Sequence, residues 1–311
     1  MKISLIDYDK TRMPNLALMK ISAWHKAKGD DVDFYEPLFS NPNIIYGSKV
    51  FLFTKFTIPN TTAEIIFGGT GFTLNKCIDE MTKVDKCSFG LRAKLADDME
   101  HICPDYELYP NIDYSMGFIT RGCVRNCDFC IVPKKEGEIR FNAHINEFQR
   151  HKKVVLLDNN ILACKEGINE LEAISKTDTK IDINQGLDSR LIDKKTAKLI
   201  SELKFIDNIK TACDSDKQFN ALKIAVENLG SFGVKPYRIL VLTLVKSEKD
   251  IPRILEIDKL GVKPFAMGYI DYTKKSDCRT QIVKDICRWV NHKAIFNTCK
   301  DFSKYIGRKT K

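Results

Sequence analysis

From Ser115 onward, apolar runs alternate with helix-length segments, and this alternation leaves few folds open to the chain. The runs Met116–Ile119, Val154–Leu157, Ile181–Ile183, Phe205–Ala212, Arg238–Val245 and Pro264–Ile270 are interleaved with Glu166–Ser175, Lys194–Leu203, Lys217–Leu229 and Lys249–Leu260. Short apolar runs separated by segments of helical period predict repeated strand–helix units, which pair as a parallel sheet with right-handed crossovers. Six such units fall short of the eight that close a complete βα barrel.

The first run leads into RGCVRNCDFCIVP, Arg121 to Pro133, which places Cys123, Cys127 and Cys130 in a C-x3-C-x2-C array. Eleven cysteines are spread over 311 residues, so three inside eight positions call for a metal or disulfide explanation. A structural zinc site usually closes with four Cys or His ligands in paired motifs, and no second C-x2-C or H-x3-H occurs in the chain. Three thiolates leave one coordination position open. Iron–sulfur clusters are held by thiolates at such compact spacings, and an iron without a protein ligand is free to bind another molecule. Zinc, or a fortuitous buried cluster, stands as the alternative reading.

Cys123, Cys127, Phe129 and Cys130 together spell C-x3-C-x-aromatic-C, and the array resembles the signature of the radical S-adenosylmethionine (SAM) superfamily. The resemblance implies a partial (βα)6 barrel and a 4Fe-4S cluster held by the three thiolates, with SAM chelating the fourth iron. It also implies reductive cleavage of SAM to a 5′-deoxyadenosyl radical and an electron donor such as flavodoxin or ferredoxin.

In parallel βα barrels, functional groups gather at the C-terminal ends of the strands. Here those ends carry Asp158, Asn159 and Asn160 after the second strand, Gln185, Asp188 and Arg190 after the third, Asp214 after the fourth and Thr243 after the fifth. Asp and Asn are also ordinary turn and N-cap residues. The resemblance implies SAM contacts: the methionine amino group after strand two, the carboxylate and ribose after strands three and four. In NQGLDSRL, Arg190 is able to fork onto a carboxylate, and Gln185 or Asp188 to take up hydroxyl protons. The family's usual Gly-Gly-Glu after strand two is replaced by Asp158-Asn159-Asn160. Cys164 and Cys213, beyond the second and at the end of the fourth strand, are candidate catalytic thiols against the plainer reading of small buried hydrophobes.

Ahead of this core, Lys2–Asp7 reads as a strand, and Leu16 to Trp24 as a helix ending near Gly29. Strands follow at Asp31–Tyr35, Ile44–Phe53 and Glu64–Phe67, closing on Gly68, Gly69 and Gly71. This predicts a small Rossmann-like parallel α/β domain. The Gly-rich turn suits either a ligand approached by backbone N–H groups or a tight turn that only glycine fits. A strand–helix opening and a Gly-Gly turn before the cysteine motif resemble cobalamin-binding domains, and imply a degenerate one, since none of the five histidines lies in D-x-H-x-x-G. Residues 72–114, with Cys77, Cys87 and Cys103 at spacings that fit no metal pattern, form a connector. The expected domains are therefore 1–110, a core at 111–273 and an extension at 274–311.

That extension carries eleven Lys and Arg against three Asp, a net +8 of the chain's formal +9. Ile282, Ile286, Trp289, Val290 and Ile295 recur at helical spacing within it, predicting an amphipathic helix with a basic outer face. Clustered cations name nucleic acid as one candidate substrate. MKISLID reaches Asp7 before an apolar leader develops, and no run of 18 apolar residues follows, so a cytoplasmic protein with reduced thiols and no membrane association is expected. Three functions remain in view: a radical SAM enzyme, a cobalamin-dependent radical SAM methyltransferase, and a non-catalytic metal- or cluster-binding protein associated with nucleic acid. No motif names the substrate or the reaction.

Overall fold

The computed structural model describes residues 1–73, 89–92, 95–271 and 277–305. Cys77 and Cys87, and the cations of the extension at 274, 275, 308, 309 and 311, lie outside the described residues. The chain divides into two compact units: 1–115 with 146–150 and 271–277, and 116–145 with 151–270 and 278–311. Both are mixed α/β units built on parallel sheets.

The first unit holds β1 (Lys2–Asp7), β2 (Asp31–Phe34), β3 (Ile44–Ser48), β4 (Glu64–Gly68) and β5 (Phe89–Arg92), hydrogen-bonded in the order β2-β1-β3-β4-β5. All four pairings among these described strands are parallel, with Ile3 opposite both Val32 and Ile44. Two-residue periodicity sends β3 side chains to both faces: Tyr46 packs with Ile3, Leu5, Leu18 and Ile66, while Ile45 packs with Ile65, Phe67 and Phe72. The helix Leu16–Lys26 begins where the Asn15 side chain accepts the Leu18 N–H, and it buries Leu18, Met19 and Ile21.

β3 stops at Ser48 although the apolar run continues to Phe53. The reason is a change of partner. Beyond Lys49, the N–H groups of Val50 and Phe51 donate to the Asp9 carboxylate rather than to a neighbouring strand. Lys49 itself is 2% exposed. Its ammonium donates to the Thr54 carbonyl at 3.2 Å and lies 4.9 and 5.0 Å from the ring centroids of Phe56 and Phe72.

The glycine turn makes room for this lysine. A Cβ at Gly69 would stand 2.4 Å from the Lys49 carbonyl oxygen, and one at Gly71 would stand 2.8 Å from Lys49 Cε.

The second unit carries two four-stranded parallel sheets. One is β12 (Lys204–Phe205), β10 (Lys180–Ile183), β9 (Lys153–Leu156) and β6 (Ser115–Gly117), in that order. The other is β11 (Leu187–Asp188), β13 (Ile209–Ala212), β14 (Ile239–Val245) and β15 (Lys263–Gly268). The stretch 180–188 gives one short strand to each sheet and breaks at Gly186, whose φ is +82°. Lys210 on β13 donates to both carboxylate oxygens of Asp182 on β10 at 2.7 Å, so one ion pair ties the sheets together. Phe205–Ala212, expected as one strand, is therefore two pieces in different sheets, with Asp207 and Asn208 between them.

Helices Lys165–Ser175, Lys194–Glu202, Asp216–Ser231 and Ile251–Lys259 alternate with these strands. Each turns an apolar stripe inward, as with Leu222, Ala225 and Leu229. In the helix Gln281–Asn291, Val283, Ile286, Trp289 and Val290 pack against Val245, Ile254 and Ala266. Lys284 and Arg288 are exposed. Ile282 is exposed as well, and Ile295 belongs to the separate helix Lys293–Thr298, so the apolar stripe is narrower than the sequence predicts. No described helix is long and apolar enough to cross a membrane.

Gly69 and Gly29 both have positive φ, +95° and +79°, but nothing lies within 4 Å of a Cβ at Gly29. Gly29→Ala is expected to lose only the backbone term, about 1 kcal/mol. Gly69→Ala, which also drives a methyl into the Lys49 carbonyl, is expected to lose at least about 2 kcal/mol more. Urea unfolding of the two variants measures the difference, and equal losses would refute the packing role.

Candidate functional site

The cysteine loop leaves the second unit through two residues that a distant carboxylate holds in place. Asp158, 0% exposed just beyond β9, accepts hydrogen bonds from the N–H groups of Ile119 and Thr120 and from the Thr120 hydroxyl. Burial pushes its carboxyl up to about 6, against the opposing effect of those donors. Asp158 thus serves as an anchor for the entering strand.

The loop then departs from β7 (Thr120–Arg121) and returns in β8 (Arg140–Phe141), an antiparallel pair. An ion pair between Arg121 and the buried Glu136, 3.2 Å, closes its base, with the Arg121 guanidinium 4.0 Å above the Phe118 ring. Gly122 admits the crossing of the two arms. Its φ is +81°, and a Cβ there would lie 2.0 Å from the Glu138 carbonyl oxygen.

Cys123, Cys127 and Cys130 are half-buried and unoxidised. The Cys130 N–H donates to the Cys127 carbonyl at 2.9 Å, making the tight turn that the two-residue spacing requires. Burial raises the thiols of Cys127 and Cys130. The other sulfurs and Asp214 raise them further, while Arg190 draws Cys127 down. These mutual influences place the three sulfurs, Arg190 and Asp214 within electrostatic reach of one another. Among the described residues no group of three His, Cys, Asp or Glu side chains is already gathered to hold a metal ion. A cavity of about 600 Å³ opens beside the loop, bounded by Cys123 to Asn126 on one side and by Pro133 and Gly137 to Ile139 on the other.

Two further strand ends converge here. At the end of β11, the buried Asp188 carboxylate accepts from Arg125 Nε at 3.0 Å and from Arg190 Nε and Nη2 at 2.6 and 3.0 Å. Burial alone would raise this carboxyl, but the two guanidinium groups outweigh it and hold it below the ordinary range.

Asn160, 3% exposed, bridges the loop and this carboxylate: its amide nitrogen donates to Cys123 Sγ at 3.4 Å and to Asp188 Oδ2 at 3.3 Å. Turning the amide over would set its oxygen against the Asp188 carboxylate, so the observed orientation is the favourable one. Asn160 Oδ1 has no hydrogen-bond partner among the described residues. An orphaned buried acceptor costs about 1–3 kcal/mol, and beside Cys123 it marks a place for a donor group.

The remaining candidates separate. Asp214, beyond β13, is largely buried, which raises its carboxyl, and it accepts the Leu244 N–H at 3.0 Å. Phe129 is half-buried in the loop, and Asn159 is half-buried beside Asn160. Gln185 is exposed on the turn before β11.

Arg190 is not a free fork: Asp188 occupies two of its nitrogens. Thr243 is 0% exposed and spent on internal bonds, donating to the Cys213 carbonyl at 2.8 Å and accepting from Arg253. Cys164 is buried and donates to Glu166 at 3.2 Å, while burial pushes the Cys213 thiol up to about 11. Sequence reasoning passed over Arg125, which occupies a spacer position of the motif and carries no local signal of its contact 63 residues away.

The raised carboxyl of Asp158 has a consequence for stability. Its folded value lies above that of an unfolded Asp, near 4, so this group's contribution is complete below pH 4, falls as pH rises through about 6, and is level above that. Asp158→Asn cannot ionise. In urea unfolding, the stability of wild type relative to this variant is expected to fall by about 2 kcal/mol between pH 4 and pH 7.5; a difference independent of pH would refute the assignment.

No protein-family model matches this chain, and no curated protein matches it.

Proposed function

We propose that the second unit is the core of a radical SAM enzyme, a partial (βα)6 barrel in which Cys123, Cys127 and Cys130 hold a 4Fe-4S cluster. When bound, the cluster and SAM supply one-electron reductive cleavage of the sulfonium, yielding methionine and a 5′-deoxyadenosyl radical that removes a hydrogen atom from substrate.

The observation that carries the reading is the Asn160 bridge. One amide joins a cysteine of the loop to the end of β11 and leaves a buried acceptor beside that sulfur. The donor set fits the cofactor, with three thiols on one loop, an open acceptor for an ammonium group in Asn160 Oδ1, and a raised carboxyl in Asp214 for a hydroxyl. Phe129, next to Cys130, offers an apolar ring. Asp188 takes the role of an organiser, holding Arg125 and Arg190, and Arg190 is not assigned to a ligand carboxylate.

We assign no cobalamin to the first unit. In doubly wound sheets with its strand order, ligands bind where the order reverses, between β1 and β3. Beyond those strands the chain packs its own Tyr8, Lys49, Phe56 and Phe72.

Anaerobic reconstitution with iron and sulfide, followed by reduction with dithionite in the presence of SAM and chromatography for 5′-deoxyadenosine, tests the proposal. Wild type is expected to form the product and Cys127→Ala to form none. Asn160→Ala is expected to assemble the cluster but bind SAM about tenfold more weakly, the loss of one hydrogen bond to a charged group. A wild-type protein that assembles a cluster and makes no 5′-deoxyadenosine would overturn the reading and favour a zinc- or cluster-binding protein.

A further inference from the structure

We propose that Lys246 receives an oxyanion, a carboxylate or phosphate group of a bound ligand, beside the cysteine loop. Lys246 follows the last residue of β14, and its ammonium lies 5.6 Å from the ring centroid of Phe129 in the loop and 5.0 Å from that of Tyr269, which follows β15. The Tyr269 N–H donates to the Val245 carbonyl at 2.8 Å, which fixes the Tyr269 main chain beside the lysine.

Ring faces attract an ammonium by about 0.5–1 kcal/mol at exposed sites, yet they leave its full charge and its three N–H donors uncommitted. A cation held by rings rather than by a carboxylate remains available to an anion.

The neighbouring acid is already spent. Asp250 Oδ2 accepts the N–H groups of Lys246 and Ser247, and Asp250 Oδ1 accepts from Arg253 at 2.8 Å. These bonds fix the lysine's backbone and leave its side chain without a carboxylate partner among the described residues. The other two cations around the sulfurs are committed as well, Arg125 and Arg190 both to Asp188. Among the described residues, the cation that lies over the Phe129 ring with no carboxylate partner is Lys246. As a compact point charge with rotatable donors, lysine suits a carboxylate or phosphate oxygen without demanding the planar geometry of a guanidinium.

The anion's source rests on the radical SAM reading: it is either the carboxylate of SAM or an acidic group of the substrate. The presence of the anion site does not rest on that reading.

Calorimetric titration separates the two. Inorganic pyrophosphate is titrated into the unloaded protein, and SAM and decarboxylated SAM into the cluster-loaded protein, using wild type, Lys246→Met and Lys246→Arg. Lys246→Met is expected to weaken pyrophosphate or SAM at least about tenfold, with Lys246→Arg near wild type, as for loss and retention of one charge-assisted contact. A loss for SAM but not for decarboxylated SAM assigns the oxyanion to SAM. A loss confined to pyrophosphate assigns it to the substrate. Should wild type take up no SAM while pyrophosphate still depends on Lys246, the anion site stands and the radical SAM reading falls. Equal binding of every probe by wild type and Lys246→Met, or no binding of any, overturns the proposal.

Discussion

The candidate site depends on a charge buried where water does not reach it. Asp158 ends β9 inside the protein, and an isolated carboxylate there would cost several kcal/mol. Three donors from Ile119 and Thr120 offset that cost, and in doing so they determine where the chain stands as it leaves β6. The antiparallel contact of β7 with β8 and the Arg121–Glu136 pair then close the loop on itself. A loop of this length would otherwise sample many conformations, at a backbone cost of about 1–2 kcal/mol per ordered residue. Anchoring both arms at the base confines the cysteines to one mouth of the unit before any ligand arrives.

Within that mouth, charge is shared unevenly. The Asp188 carboxylate gathers Arg125 from the loop, Arg190 from two residues on, and the Asn160 amide, so a single anion links three segments. Its negative charge is compensated locally. Asp214, with one backbone donor and no ion pair among the described residues, is not compensated to the same degree, and its carboxyl is raised. The thiols of Cys127 and Cys130 are raised too, by burial and by the neighbouring sulfurs.

Much of this architecture is written in local pattern. Strand–helix alternation locates the helices Lys165–Ser175, Lys194–Glu202, Asp216–Ser231 and Ile251–Lys259 to within two residues at either end, because a 3.6-residue apolar stripe must face a sheet. The cysteine spacing is equally local. What the pattern does not contain is the set of side chains that reach backbone or charge far along the chain. Asp9 ends β3 by capturing the amides of Val50 and Phe51, 41 and 42 residues away. Asp188 claims Arg190, which in sequence looks free to bind a ligand. Thr243, expected beyond a strand end, lies inside β14 and is consumed by Cys213 and Arg253. Gly69 and Gly71 suit either a ligand turn or a tight turn in sequence, and the backbone and side chain of Lys49 packed against them favour the second. In each case residue type indicated a polar role, and only the three-dimensional partner decided which one.

The same distinction, between charges that are satisfied and charges that are not, separates framework from function in the second unit. Arg121, Arg125, Arg190 and Arg253 all carry guanidinium groups near strand ends, and all four are bonded to carboxylates of the chain. Each therefore contributes to shape, and for Arg253, whose side chain is 6% exposed, removing the partner would leave a desolvated charge. Lys246 differs in being supported by rings, and Asn160 Oδ1 differs in having no hydrogen-bond partner among the described residues. One is an uncommitted donor and the other an uncommitted acceptor, and both adjoin the cysteine loop, at Phe129 and at Cys123. That difference, rather than the fold, is what sets these two groups apart from the framework around the cysteine loop.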